Sequence, residues 1–325
     1  MMIKQYQVIG LALALLLSPM AMAQKHTKQQ TAHARPASKP VPRDLDVDPI
    51  KTELTADGQL NLASAKAMIV RQSTGETLYA KNANAPTPIA SLTKLMTAMV
   101  VLDAGLPMDD VIRINDADVD TLKGTGSRLR LGTELSRREL LEIALVASEN
   151  RAASALGRSY PGGASAFIRA MNTKAKLLGM MDTRFADSTG LNTGNISTAE
   201  DLVKLVNAAY QYNDIRAVST LATSDVPVRG LRDPLHYMNT NALVRKGEWV
   251  IGLSKTGYIK EAGRCLVMQA EISGEPLIIV LLDSQGKNSR LGDAQRIRKW
   301  LEQGNLLTAG LAKPRLHLSE FNSQH

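Results

Sequence analysis

A chain of 325 residues, 44% apolar and 22% charged with a formal net charge of +8, is long enough to bury a large core. The charge is uneven: Lys4, Lys25, Lys28, Arg35, Lys39 and Arg43 precede the first acidic residue, Asp44, which leaves only +2 of the +8 for everything after it. That distribution reads as a solvated basic tail on a nearly balanced body, so no nucleic-acid partner is expected. The single cysteine, Cys265, excludes an internal disulfide, and the alternating pattern of Gly263-Arg-Cys-Leu-Val-Met268 points to a buried thiol on a strand. His236 is the one histidine of the body, the other four lying near the two ends, so no metal-ligand cluster and no metal or other cofactor is expected.

Residues 1–23 read as a secretory signal. Lys4 supplies a basic start, Val8 to Leu17 an apolar run too short for a comfortable membrane span, and Ala21-Met-Ala23 the small residues of a cleavage site after Ala23. An exported, periplasmic protein without a transmembrane segment in its mature form is the expectation. Residues 24–60 are basic and polar, with Pro36, Pro40 and Pro42, and read as a disordered linker. Residues 61–305 are expected to form one catalytic domain, with 306–325 as a tail.

Within that domain, Ala67–Val70 and Glu76–Ala80 flank a glycine-containing turn and predict a hairpin. A helix is expected from Ser91 to about Ala104, ended by Gly105 and Pro107, and a short strand at Val111–Ile114. Lys123-Gly-Thr-Gly-Ser127 follows no strand and precedes no helix that would suit a phosphate, so it reads as a turn. Ser136 with Glu139 three residues on is a capping box that opens the next helix. Further helices are expected at Ala152–Gly157, Ala164–Leu178 and Ala199–Tyr210. Val250–Tyr258, Arg264–Ile272 and Pro276–Leu282 then predict three consecutive strands, with a turn at Ser273-Gly-Glu275, and Ser289–Leu301 a closing amphipathic helix. A hairpin, a helical block, three strands and a helix predict an α+β fold: an antiparallel sheet flanked by helices, with an inserted helical subdomain.

Three short strings carry the chemistry. Ser91-Leu-Thr-Lys94 opens a helix, and its three-residue spacing puts hydroxyl and amine on one face. That spacing alone is cheap, since Ser284-Gln-Gly-Lys287 repeats it after a strand. Its weight comes from Ser148-Glu-Asn150 at the end of a helix and Lys255-Thr-Gly257 on a strand, in that chain order. A serine paired with a lysine can act as a nucleophile without a histidine, provided that the amine is neutral. Burial and a neighbouring cation both push a lysine that way, and Lys255 is the expected second cation.

The three strings together resemble the motifs of the penicillin-binding proteins and serine β-lactamases, with Glu149 where the family pattern has aspartate. Pro88–Met99, Asp187-Ser-Thr-Gly-Leu191, Ser197–Leu202 and Lys255–Tyr258 with Ala262–Val267 resemble the low-molecular-mass serine D,D-peptidases (peptidase family S11). The resemblance implies that Ser91 forms the acyl-ester, Lys94 takes its proton, Ser148 relays a proton and Asn150 holds Lys94 and the substrate amide. It implies that Lys255 and Thr256 face the substrate carboxylate, that Gly257 and Tyr258 continue this strand with the Ser91 and Tyr258 N–H groups as oxyanion donors, and that Arg290 assists in binding. The implied partners are peptidoglycan peptide cross-links, with β-lactam antibiotics as covalent inhibitors.

The implied activity is D-alanyl-D-alanine endopeptidase, cutting D-Ala–meso-diaminopimelate cross-links. The alternative within the class is a D,D-carboxypeptidase that removes terminal D-Ala. A Ser-His-Asp hydrolase would have only His236 to use and no Gly-x-Ser-x-Gly elbow. An efficient β-lactamase would need Glu-x-x-Leu-Asn, where Ser188-Thr-Gly-Leu-Asn192 has serine in the glutamate's place. A non-catalytic wall-binding protein would have no use for three intact motifs.

Overall fold

The computed structural model describes residues 60–305; the expected signal segment, nearly all of the linker and the carboxy-terminal tail lie outside the described residues. The hairpin is β1 (Ser64–Arg71) and β2 (Thr77–Lys81), turning at Gly75, whose φ of +76° suits a residue without a Cβ. After the two-residue β3 (Thr87–Pro88), a 3-10 turn at Ala90–Leu92 leads into helix α1 (Thr93–Asp103). β4 (Val111–Arg113) pairs with β5 (Glu134–Ser136), and helices α2 (Arg137–Val146), α3 (Asn150–Arg158) and α4 (Gly163–Leu177) follow. β6 (Ile196–Ser197) pairs back onto β3 before α5 (Ala199–Ala209) and α6 (Asn213–Ser219). A second hairpin, β7 (Thr223–Val226) with β8 (Leu235–Met238), and the short α7 (Ala242–Lys246) lead to β9 (Val250–Ile259), β10 (Gly263–Ile272), β11 (Glu275–Ser284) and α8 (Ser289–Trp300).

The main sheet has the order β2-β1-β11-β10-β9, antiparallel throughout, so the amino-terminal hairpin completes the sheet of the late strands. Successive residues of its inner strands face opposite sides. Leu266 and Met268 of β10, with Ile279 and Leu281 of β11, pack against Ala294 and Ile297 of α8. Val267, Ile278, Val280 and Leu282 point the other way, into the core shared with α1, α2, α3 and α5. Cover on both faces is why β11 reads as an unbroken apolar run rather than an alternating one. Each such aliphatic side chain contributes about 1.5–3 kcal/mol on burial, and the two faces together clamp β9 and α1 in register.

The α+β fold with its inserted helices is therefore the expected one. The capping box is present as predicted: Ser136 Oγ accepts from the Glu139 N–H at 3.2 Å and Glu139 Oε2 accepts from the Ser136 N–H at 2.7 Å. The α-helix after Ser91 begins two residues later than expected, at Thr93, because residues 90–92 form the 3-10 turn instead. The second Ser-x-x-Lys is structural: the Ser284 hydroxyl shares a hydrogen bond with Ser64 at 2.6 Å, Ser64 donates onward to buried Asp293, and Lys287 is exposed.

Candidate active site

The site is assembled where α1, the α2–α3 link and β9 meet. Ala90 carries a φ of +48°, a conformation that costs a side-chain-bearing residue energy, and the link residue Ser148 carries +58°. Two of the five non-glycine residues with positive φ among the described residues thus lie in the predicted motifs or beside them. Glycines leave the room this turn needs. A Cβ on Gly190 (φ +85°) would lie 2.0 Å from the Ala90 carbonyl oxygen, and one on Gly257 would lie 3.0 Å from the Ser91 nitrogen. Gly257 in Lys-Thr-Gly therefore lets strand β9 press its backbone against the serine turn.

Lys94, the second residue of α1 and 1% exposed, donates to Ser91 Oγ at 2.9 Å, to Asn150 Oδ1 at 2.8 Å and to the Thr189 carbonyl at 2.6 Å. All three partners can accept, which uses the three donors of the protonated amine; the neutral amine keeps two and offers its lone pair to the Ser91 hydroxyl. Burial lowers its pKa from 10.5 to about 7, against the opposing pull of Asp187 and Glu149. A tenth or more of the amine is then neutral near pH 6 and above, enough to accept a proton.

Lys255, also 1% exposed, is held well below the ordinary lysine range, first by burial and then by repulsion from Lys94 and Arg290. The sequence reading made Lys255 the cation that depresses Lys94. In the structure burial is the first cause for both amines, and the repulsion between them, which is mutual, adds to it. The two amines form one coupled pair, whose protons come off as a property of the pair.

The remaining predicted residues fall around this core. Asn150 starts α3, and Glu149 caps that helix, its Oε1 accepting from the Arg151 N–H at 3.2 Å. Glutamate in the middle of the second motif thus does the capping work of an aspartate. Ser148 precedes it in the link from α2. Thr256 Oγ1 donates to Thr240 Oγ1 at 2.7 Å, and Tyr258 is 57% exposed beneath the Arg264 guanidinium, 4.6 Å from its ring centroid. Arg290, in the first turn of α8, has Nε and Nη1 buried without a protein partner among the described residues. Burial, with Arg264 beside it, holds that guanidinium below its ordinary value.

Ser91, Lys94 and Asn150 are therefore brought into direct contact, Lys255 and Arg290 lie within electrostatic reach, and Ser148 shares the link that delivers Asn150. Sequence reasoning named Asp187–Leu191 as a matching string but gave no role to this loop, which holds the third acceptor for the amine. Asp187 accepts from the N–H groups of Thr189 (3.1 Å), Gly190 (2.7 Å) and Asn192 (3.0 Å), folding the loop so that the Thr189 carbonyl faces Lys94. Fully buried Asn195 locks it, donating to Asp187 Oδ1 at 2.6 Å and to Thr93 Oγ1 on α1 at 3.0 Å. The signal was there in Asp187-Ser-Thr-Gly190, an Asx-turn string followed by a glycine. His236 Nδ1 donates to Asp225 Oδ1 at 2.6 Å on the exposed β7–β8 hairpin, and Cys265 is buried, its thiol pushed up to about 11 chiefly by burial.

An antiparallel sheet carrying Lys-Thr-Gly beside a helix entered through Ser-x-x-Lys is the arrangement expected of a serine D,D-peptidase. The chain belongs to peptidase family S11, the D-alanyl-D-alanine carboxypeptidase family, whose sequence model matches residues 52–286. It is 46% identical over 248 residues to a D-alanyl-D-alanine endopeptidase of Pseudomonas aeruginosa, covering 76% of this chain and 80% of the relative. It is 45% identical over 253 residues to a D-alanyl-D-alanine endopeptidase of Escherichia coli, covering 78% and 82%. Among solved structures it is similar to the Streptomyces K15 DD-transpeptidase, with a TM-score of 0.69 and 29% identity over 78% of this chain and 98% of that one. It is also similar to penicillin-binding protein D2 of Listeria monocytogenes in a cefotaxime-bound form, with a TM-score of 0.65 and 28% identity over 78% and 99%. Among the described residues no helix is long and apolar enough to cross a membrane.

Proposed function

We propose that this chain is a D-alanyl-D-alanine endopeptidase that opens D-Ala–meso-diaminopimelate cross-links of peptidoglycan in the periplasm through an acyl-enzyme on Ser91. The observation that carries the chemistry is the buried, near-neutral Lys94 amine at 2.9 Å from Ser91 Oγ. Neutral Lys94 takes the hydroxyl proton as Oγ bonds to the carbonyl carbon of D-alanine. The carbonyl oxygen becomes an oxyanion held by the Ser91 and Tyr258 N–H groups, worth about 3–4 kcal/mol per donor in a measured protease. The C–N bond then breaks, and the leaving nitrogen receives the proton from Lys94 by way of Ser148. Water repeats the sequence in the second half: Lys94 takes its proton, its oxygen bonds to the acyl carbon, and the proton returns to Ser91 as the ester breaks.

Binding falls to the sheet side. A substrate carboxylate supplies Lys255 with the counter-charge that favours its protonated form, offsetting the cost of burial. Thr256 and the partly buried Arg290 flank the same end of β9, and Asn150 holds the substrate amide. A β-lactam enters the same route and stops at the acyl-enzyme.

The two endopeptidase relatives support the cross-link as the bond cut. The family's carboxypeptidase description favours the second reading, release of terminal D-alanine. Digestion of purified cross-linked muropeptide dimer and of monomer pentapeptide, with products identified by mass, separates the two. The expected result is dimer converted to monomers; free D-alanine from pentapeptide with dimer intact would make the protein a carboxypeptidase.

A further inference from the structure

The glycine-rich string Lys123-Gly-Thr-Gly-Ser127 has no part in the mechanism above. It lies in a strap between two buried anchors, Asp118, paired with Arg158 at 2.8 Å, and Leu129; no residue between them is buried. Asp120 shapes the strap by accepting from the N–H groups of Leu122 (2.8 Å), Lys123 (3.0 Å) and Thr125 (2.8 Å).

Three side chains tie the strap to three separate elements. Thr125 Oγ1 accepts from Asn150 Nδ2 on α3 at 3.0 Å. Arg128 donates to the His236 carbonyl on β8 and stacks 3.9 Å over the Tyr237 ring. Lys123 Nζ pairs with Glu261 Oε1 at 2.6 Å, in the β9–β10 turn three residues beyond Tyr258. The strap thus bridges the helical wall of the site, where Asn150 holds Lys94, and the sheet wall, where Gly257 packs on Ser91.

Two observations bear on how firmly the bridge is held. The first half of the strap forms one side of a solvent-open pocket of about 230 Å³, with Leu122, Asn150, Phe167, Ile168, Thr189 and Leu191 among its lining. A segment with no buried residue, beside an open pocket, has little packing to lose when it shifts. The Lys123–Glu261 pair, at 26% and 43% side-chain exposure, is an exposed ion pair, and Gly124 (φ +65°) and Gly126 beside it have open space around them.

We propose that Lys123 and Glu261 form a specificity-determining latch. Closed, the strap admits compact acylating molecules to Ser91 and slows those whose chain continues across it; open, it admits both. The proposal rests on Ser91 as the acylated group and is independent of which cross-link is cut.

The test compares second-order acylation constants of the protein for benzylpenicillin and for a penicillin bearing a bulky fluorophore on its side chain. In Lys123→Ala and in Glu261→Ala the bulky-to-compact ratio should rise about two- to fivefold, the range an exposed ion pair can supply. Raising NaCl to about 0.5 M should lift the wild-type ratio likewise by screening the pair. The charge swap Lys123→Glu with Glu261→Lys should return the ratio to the wild-type value. A ratio that stays constant or falls in the single variants, one indifferent to salt, or a swap that fails to restore it overturns the latch. Wild-type protein labelled by neither penicillin overturns the reading of Ser91 itself, a result distinct from the others.

Discussion

Replacing Ser91 with alanine is expected to abolish both covalent uptake of penicillin and cleavage of cross-linked muropeptides while leaving the fold intact. Oγ is the atom that forms the acyl bond, and no other hydroxyl among the described residues accepts a hydrogen bond from Lys94. Without it Lys94 keeps Asn150 and the Thr189 carbonyl as acceptors, so the amine is not stranded in the core. Deleting the nucleophile of a serine protease costs roughly 10⁶-fold in turnover in a measured case, which here means activity at background. Intact-mass measurement after exposure to penicillin, alongside dimer digestion, reads both losses. An adduct that forms on the Ser91→Ala protein as fast as on the wild type would remove Ser91 from the mechanism.

Lys94→Met should lose acylation to a similar extent and should also flatten the dependence of stability on pH. The sign follows from the shift: Lys94 has a pKa of about 7 in the folded protein and 10.5 as a free lysine. Between those values the unfolded chain holds a proton that the folded chain lacks, so wild-type stability rises with pH across that window and levels off above it. Below pH 7 both states are protonated and the cost of the buried charge is fully felt. At about 1.4 kcal/mol per pKa unit, the wild type should gain about 4 kcal/mol from this residue between pH 7 and 10. Methionine fills a similar volume and removes that gain, although it leaves Asn150 Oδ1 and the Thr189 carbonyl short of a donor at about 1–3 kcal/mol each. Removing Lys94 also relieves repulsion on Lys255, which flattens the profile further. Denaturant unfolding of both proteins at several pH values checks it; parallel profiles would mean that Lys94 is an ordinary charged lysine.

How much of this was legible follows from where the signals were local. Ser136 and Glu139 announce their helix because a capping box is complete within four residues, and β9 to β11 announce themselves because a sheet covered on both faces needs long apolar strands. The three motifs were equally local, and their chain order assembled the site on paper. What was hidden depended on distant contacts. The β7–β8 hairpin, α6 and α7 are too short to carry a clear period; α6 packs on β9 and α2, the hairpin on α2, and α7 buries only Leu243. The third acceptor for Lys94 is a backbone carbonyl, positioned by Asp187 and Asn195, and a carbonyl has no side-chain signature. How far the Lys94 pKa falls likewise depends on burial and on the placing of Asp187 and Glu149, which spacing does not reveal. Gly124 and Gly126 read as a turn, and only its contacts with Asn150 and Glu261 show that the turn crosses the site.

The central claim is that a neutral Lys94 activates Ser91, and the pH dependence of the acylation rate tests it most directly. The rate of penicillin acylation, measured under single-turnover conditions from pH 5 to 9, should climb about tenfold per pH unit at the acid end and level off above an inflection near 7, the value that burial gives Lys94. A rate that is flat across that range, or that falls as pH rises through 7, would contradict the account.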